Sequence, residues 1–303
     1  MPETVWLNGR FLDRADARVS AFDASVQHGV GLFETMLAAH GRVFRVERHL
    51  ARLARSAAEL GLSDSLKTAP LAELIENAVE RSELAEGEAR ARVRLTLTGG
   101  DLNLLAAQRS QPIDPTLLIV VSPATVYPAE MFERGVGVLI PDAKAGRHDP
   151  TASHKTLNYW WRLRALQQAA AAGMGECLIL QHSNHLCGGA VSNVFLVKHG
   201  RLFTPAARGE SAEESGATGA SPVLPGITRA AIVEIAAAQG IQCERALLSI
   251  QDVLAADEVF LTNSSWGVLP VTRVEGHSVG TAKPGAITMS LRARWLAATR
   301  DEA

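Results

Sequence analysis

The chain has 303 residues, enough for one large domain or two ordinary ones with cores of their own. Apolar residues make up 47% and the formal net charge is -2, which excludes a disordered polar chain and gives no general attraction to nucleic acid or a membrane surface. There is no apolar run of membrane-spanning length and no basic-then-apolar leader, and the three cysteines (Cys177, Cys187, Cys243) have no CxxC spacing, so a cytoplasmic protein without a disulfide framework or metal cluster is expected.

In chain order, residues 4–12 read as a hairpin turning at Asn8-Gly9. Gly29 and Gly31 precede Leu32-Phe33-Glu34-Thr35, where a bare backbone either lets something approach or simply enters a strand. Val46, Leu50, Leu53, Ala57 and Leu60 fall on one helical face, and Gly61 is a natural stop. On that helix His49 and Arg52 lie three apart. The forked donors of Arg52 suit a phosphate, although an arginine on an amphipathic helix is more often a solvated charge.

Pro70 opens a second helix with Leu71, Leu74, Ile75 and Val79 inward. Residues 91–98 alternate, with Val93, Leu95 and Leu97 on one face and Arg92, Arg94 and Thr96 on the other; that polar face meets either water or a substrate carboxylate. Residues 117–121 form a continuous apolar strand, read as central. Residues 122–135, with Pro123 and Pro128, are read as the connection between a smaller domain at 1–121 and a larger one at 136–303.

The second half begins with a strand at 136–140 and a helix at 161–172. A strand at 176–181, a turn at 182–185 and a small-residue stretch, Cys187-Gly188-Gly189-Ala190-Val191-Ser192-Asn193, come next. After a hairpin at 201–205, residues 206–221 read as a mobile surface loop. Leu224-Pro225-Gly226-Ile227-Thr228-Arg229 then enters a helix, whose free N–H groups and positive dipole end suit an anion unless Thr228 merely caps it. A short helix at 249–254 and a strand at 258–261 lead to Thr262-Asn263-Ser264-Ser265, which offers hydroxyls, and the chain closes with a helix from Pro284 carrying Ile287, Leu291 and Trp295 inward.

The residue on which chemistry is placed is Lys155, in Ser153-His154-Lys155-Thr156-Leu157-Asn158-Tyr159. A partly desolvated amine between a loop and a helix has a lowered pKa and an available lone pair. A lone lysine is more often a solvated charge, so the weight falls on its flanking motifs.

Those motifs, in this order over nearly the whole chain from Trp6-Leu7-Asn8-Gly9 to Pro270-Val271, resemble the fold-type-IV pyridoxal-phosphate enzymes: branched-chain and D-amino acid aminotransferases and aminodeoxychorismate lyases. The resemblance implies a two-domain α/β (α+β) fold with a small N-terminal α/β domain, a larger C-terminal pseudo-barrel domain, pyridoxal 5'-phosphate in the cleft between them, and a homodimer acting on amino acid and 2-keto acid substrates. It makes Lys155 the Schiff-base lysine and proton shuttle. Cofactor contacts fall on Arg52, Gly188, Ser192, Asn193, Gly226, Ile227, Thr228, Ser264 and Ser265, and substrate contacts on Phe33, Arg94 and Tyr159. One position departs from the family pattern: Gly188 stands where the family carries the glutamate that pairs with the pyridine nitrogen. A weaker electron sink is expected, and Gly188→Glu is expected to raise transamination. An aminotransferase is the first expectation, an aminodeoxychorismate lyase the second, and a pyridoxal-phosphate-fold protein that has lost turnover the third.

Overall fold

The computed structural model describes residues 3–84, 89–101, 115–146, 148–210 and 221–302. The chain falls into two compact units: residues 1–125, 154–158 and 299–303 form the first, and residues 126–153 and 159–298 the second. The Lys155 segment therefore belongs with the first unit although both its flanks belong with the second.

Among the described residues the first unit is an antiparallel sheet with three helices and the last residues of a fourth. Its strands are β1 (Thr4–Leu7), β2 (Arg10–Leu12), β3 (Gly31–Ala39), β4 (Arg42–Val43), β5 (Arg90–Thr98) and β6 (Leu117–Pro123), in the order β2-β1-β6-β5-β3-β4. β1 and β2 form the Asn8-Gly9 hairpin, and both turn residues have positive φ, as a two-residue turn matched to strand twist requires. A short helix, α1 (Ala24–His28), was not anticipated. Asp23 caps it through Ser25 N at 2.8 Å and also accepts from Thr98 and Thr116. Helices α2 (Val46–Glu59) and α3 (Thr68–Glu80) cover one sheet face: Val46, Leu50, Leu53 and Ala57 of α2 share a core with Leu32, Met36 and Ala38 of β3 and with Val93, Leu95 and Leu97 of β5. Side chains alternate along a strand, so Phe33 and Arg94 occupy the opposite face. Ser122 and Pro123, expected to open an inter-domain connection, are the end of β6.

The second unit contains α4 (Glu130–Glu133), β7 (Val136–Leu139), β8 (Lys144–Ala145), α5 (Trp160–Ala171), β9 (Glu176–Cys177), β10 (Ile179–Gln181), β11 (Leu186–Gly188), β12 (Asn193–Lys198), β13 (Arg201–Thr204), α6 (Ile227–Ala238), β14 (Cys243–Arg245), α7 (Ile250–Leu254), β15 (Glu258–Asn263), β16 (Gly267–Val274), β17 (His277–Ser278) and α8 (Ala286–Asp301), whose last residues, from Thr299, belong with the first unit. One mixed sheet runs β14-β13-β12-β15-β16-β7-β9 with β17 beside β16, and a second runs β11-β10-β8. The strand expected at 176–181 is broken at Leu178: β9 pairs parallel with β7 in the first sheet, and β10 belongs to the second. Part of the expected mobile loop is fixed. Ala207 is fully buried, and Glu210 accepts from both Nη1 and Nη2 of the buried Arg229 at 2.8 Å. Residues 211–220 of that loop lie outside the described residues. Among the described residues no helix is long and apolar enough to cross a membrane.

Candidate active site

In the first unit, residues 155–157 are laid along β3. Phe33 N donates to Lys155 O at 2.8 Å, Leu157 N donates to Gly31 O at 2.9 Å, and Leu32 stands opposite Thr156. Gly31 is needed at this join: with φ +156, an added Cβ would lie 2.6 Å from Leu157 Cδ1 and 2.7 Å from Leu97 O. The pairing sets Lys155 Nζ 4.3 Å from the centre of the Phe33 ring, and Arg94 Cζ lies 3.4 Å from the same centre. One ring thus carries both cations, and their separation is bounded by the sum of these distances.

Arg52 has a partner that the sequence analysis does not give it. Its Nε and Nη2 donate to the two oxygens of Glu34, at 2.8 and 2.5 Å, on the sheet face that packs against α2. The fork expected to meet phosphate is therefore turned onto a carboxylate. His49 Nδ1 joins the same carboxylate at 2.7 Å, so the two residues three apart on α2 do act together. Burial pushes the Glu34 carboxyl up, but the Arg52 charge, aided by hydrogen bonds from His49 and Arg52, outweighs it and holds the carboxyl at about 2. Burial lowers the pKa of His49, with the Arg52 and Lys155 charges adding to the effect against the pull of Glu34. The ring is then neutral near pH 7. Because a carboxylate only accepts, Nδ1 carries the proton, and the short contact is a neutral N–H donor on a carboxylate rather than an ion pair. Sequence reasoning assigns Glu34 no role. The available signal was one acidic residue at an inward position of an apolar strand.

In the second unit, cross-links join three loops. Asn193 Nδ2 donates to Leu224 O at 2.9 Å, and Asn263 Nδ2 donates to Val191 O at 3.3 Å. Tyr159 Oη donates to Ala190 O at 3.3 Å, and Arg162 Nη1 donates to Gly189 O and Ala190 O. Gly188, Ser192, Asn193 and Tyr159 are thereby gathered with the segment entering α6 and with the 263–266 turn that carries Ser264 and Ser265. Asn193 brackets the loop, and the Ser192 hydroxyl proton is directed to Glu176. The cap of α6 is Gly226, with no side-chain cap hydrogen bond, so Thr228 is not the cap. A Cβ on Gly226 would stand 1.9 Å from Asn193 Oδ1, so a larger residue there would push the Asn193 side chain aside.

The turn after Gly188 is closed by Glu176. This fully buried carboxylate accepts from Cys177 N and Ala190 N on one oxygen and from Val191 N and Ser192 Oγ on the other. Four donors fill a carboxylate's acceptor sites, so Glu176 has none left to replace the glutamate that the family carries at 188. The expected gain from Gly188→Glu also fails on geometry. Gly188 has φ +155, and a Cβ there would lie 2.7 Å from Ser192 O, the acceptor of the Gly189 N hydrogen bond. The expected result is a loss of about 1–3 kcal/mol in a urea melt and no gain in amino transfer; a stable variant with faster transfer would contradict it.

Comparison with known proteins follows the same lines. A model of the amino-transferase class IV family matches residues 31–274. The chain is 28% identical over 295 residues to a branched-chain-amino-acid aminotransferase of Escherichia coli (strain K12), covering 95% of this chain and 90% of that one. It is 26% identical over 292 residues to a D-alanine aminotransferase of Bacillus licheniformis, covering 95% and 94%. The crystal structure of the Escherichia coli branched-chain amino acid aminotransferase is similar, with a TM-score of 0.86 at 26% identity over 98% of this chain and 94% of that one. A motif order legible in the sequence, an antiparallel α/β unit holding a strand-paired lysine, a second unit gathering three polar loops, and full-length similarity all lead to one family: the chain belongs to the class IV aminotransferases, which use pyridoxal phosphate.

Proposed function

We propose that the chain moves an amino group between an amino acid and a 2-keto acid, with Lys155 as the amine that holds the cofactor and carries the proton. The observation that supports this reading most strongly is the Phe33 ring with Lys155 and Arg94 over it. The residues present fit the cofactor. The N-terminus of α6 has no side-chain cap and can receive phosphate at Gly226, Ile227 and Thr228. Ser264 and Ser265 supply hydroxyls nearby in sequence to Thr262, whose buried Oγ1 has no hydrogen-bond partner. By the family resemblance Arg52 would stand at the phosphate, with Nε and Nη2 held on Glu34.

Pyridoxal phosphate, when bound, supplies the electron sink that lets an amino acid's α-C–H bond break. Lys155 Nζ would take that proton and return it on the same face, a transfer that needs the amine neutral and held in place. The Arg94 charge recruits the substrate carboxylate and receives it with its fork, while the flat Phe33 ring limits where the acid can lie. The Glu176-closed turn and Tyr159 keep the 188–193 segment rigid. With Gly188 in place of a carboxylate, turnover below that of glutamate-bearing relatives is expected. By the family resemblance the chain works as a homodimer; Trp160 and Leu163, exposed apolar residues three apart on α5, are available to a second copy.

The test is purified protein with L-leucine or D-alanine and a 2-keto acid, following keto acid formed. Amino transfer is the expected result. Release of pyruvate and 4-aminobenzoate from aminodeoxychorismate, with no amino transfer, would overturn the reading in favour of a lyase. Within the aminotransferase reading, Arg94→Ala is expected to raise the KM for the amino acid about tenfold or more, the worth of one charge-assisted contact, with a smaller change in kcat. An unchanged KM would remove Arg94 from the substrate site.

A further inference from the structure

His154 directly precedes Lys155 and is directed elsewhere. With Lys155 over Phe33, the neighbouring imidazole is delivered to α2, where its Nδ1 lies 2.9 Å from Ser56 Oγ and its Nε2 lies 3.6 Å from Glu59 Oε2. Ser56 and Glu59 are three apart on α2 and so share one strip of that helix. His154 and Ser56 are both buried, while Glu59 keeps part of its side chain in solvent. Ser153, just before, has φ +66, a left-handed conformation that a non-glycine residue keeps only where its surroundings impose it. An apolar side chain would fill the His154 position without needing polar partners, so a buried imidazole hydrogen-bonded through Nδ1 to Ser56 is there for that contact.

We propose that His154 is a positioning residue for Lys155, its hydrogen bond with Ser56 latching the reactive lysine's backbone to α2. The pairing with β3 holds residues 155–157 from one side, and the latch holds residue 154 from another. Between them they fix the peptide from which the long, four-carbon lysine side chain starts. A displacement of about 1 Å at a reacting group costs on the order of a hundredfold in rate, so a latch on the adjacent residue is worth a measurable part of kcat. The same helix carries His49 and Arg52, so one rigid element carries the latch and the Glu34 cluster together. The inference rests on Lys155 being the cofactor-holding amine.

The test uses full-length holoenzyme as parent, His154→Leu, His154→Gln and Ser56→Ala. The readouts are kcat, KM and the pH midpoint of the bound cofactor's near-visible absorbance band. His154→Leu is expected to lower kcat about tenfold or more with KM within about twofold, and to move the band midpoint. His154→Gln, whose carboxamide can still meet Ser56, should recover part of both effects. Ser56→Ala, a small change that keeps the fold even if a histidine variant does not, should shift kcat and midpoint in the same direction. Parent-like kcat and midpoint in His154→Leu, or in Ser56→Ala if the histidine variants do not fold, would overturn the latch, as would equal impairment in the Leu and Gln variants, which would mark a packing role only. No band in the parent itself would instead overturn the Lys155 reading, and the latch with it.

Discussion

Lys155→Ala is expected to lower amino transfer by about a thousandfold or more and to remove the near-visible absorbance of the holoprotein. Acid–base groups placed at the reacting atoms are worth about 10²- to 10⁴-fold, and this lysine has the added task of holding the cofactor. Alanine leaves the strand pairing intact, since Phe33 N and Leu157 N engage the backbone at this join and not the lysine side chain. The melting temperature of the cofactor-free protein should therefore stay close to the parent's. A variant that unfolds would point to a structural lysine, and one that keeps turnover and absorbance would remove Lys155 from the chemistry.

Glu34→Ala is expected to have the largest effect on stability. Removing this carboxylate strands the buried Arg52 guanidinium without its counter-charge and leaves His49 without an acceptor. Breaking a buried pair by deleting one partner costs about 3–5 kcal/mol, more than the pair itself adds over apolar packing. The same cluster sets an acid limit. The folded pKa of Glu34 lies at about 2, below its ordinary 4.5, so its stabilisation is complete above that ordinary value and is lost as pH falls toward the folded one. That difference amounts to about 3 kcal/mol. His49, also depressed, acts in the same direction: below its ordinary 6.5 the unfolded chain binds a proton that the buried ring resists. Urea midpoints should thus fall from neutral pH downward, more steeply below 4.5, and Glu34→Ala should flatten the lower part of that curve. A parent midpoint that does not change from pH 7 down to pH 3 would contradict the account of the cluster.

Much of the architecture was legible because its causes are local. Asn8-Gly9 requires a tight turn, the period of Val46, Leu50, Leu53 and Ala57 requires a helix with one apolar face, and the alternation from Ala91 to Leu97 requires a strand with one face in a core. What was hidden depended on which distant residue arrives. The stretch from Glu176 to Gln181, apolar from Cys177 to Leu180, looks continuous, yet its halves join different sheets, a choice made by β7 and β8 rather than by the stretch. Glu210 lies in a polar, small-residue stretch that reads as mobile; the buried Arg229, on α6, fixes it. The site was legible as an ordered set of motifs centred on Lys155. The engagement of Arg52 by Glu34, the saturation of Glu176 and the missing room for a side chain at Gly188 required coordinates, because each is a matter of hydrogen-bond partners and of contacts a few ångströms wide.

The most direct measurement is reductive trapping. Holoprotein treated with borohydride and digested should carry the cofactor's added mass on the peptide containing Lys155, and amino acid substrate added before reduction should remove that label. The chain's other lysines, Lys67, Lys144, Lys198 and Lys283, serve as internal controls. Label on any of these in place of Lys155, or label on Lys155 that substrate does not displace, would contradict the assignment of the reaction to this residue.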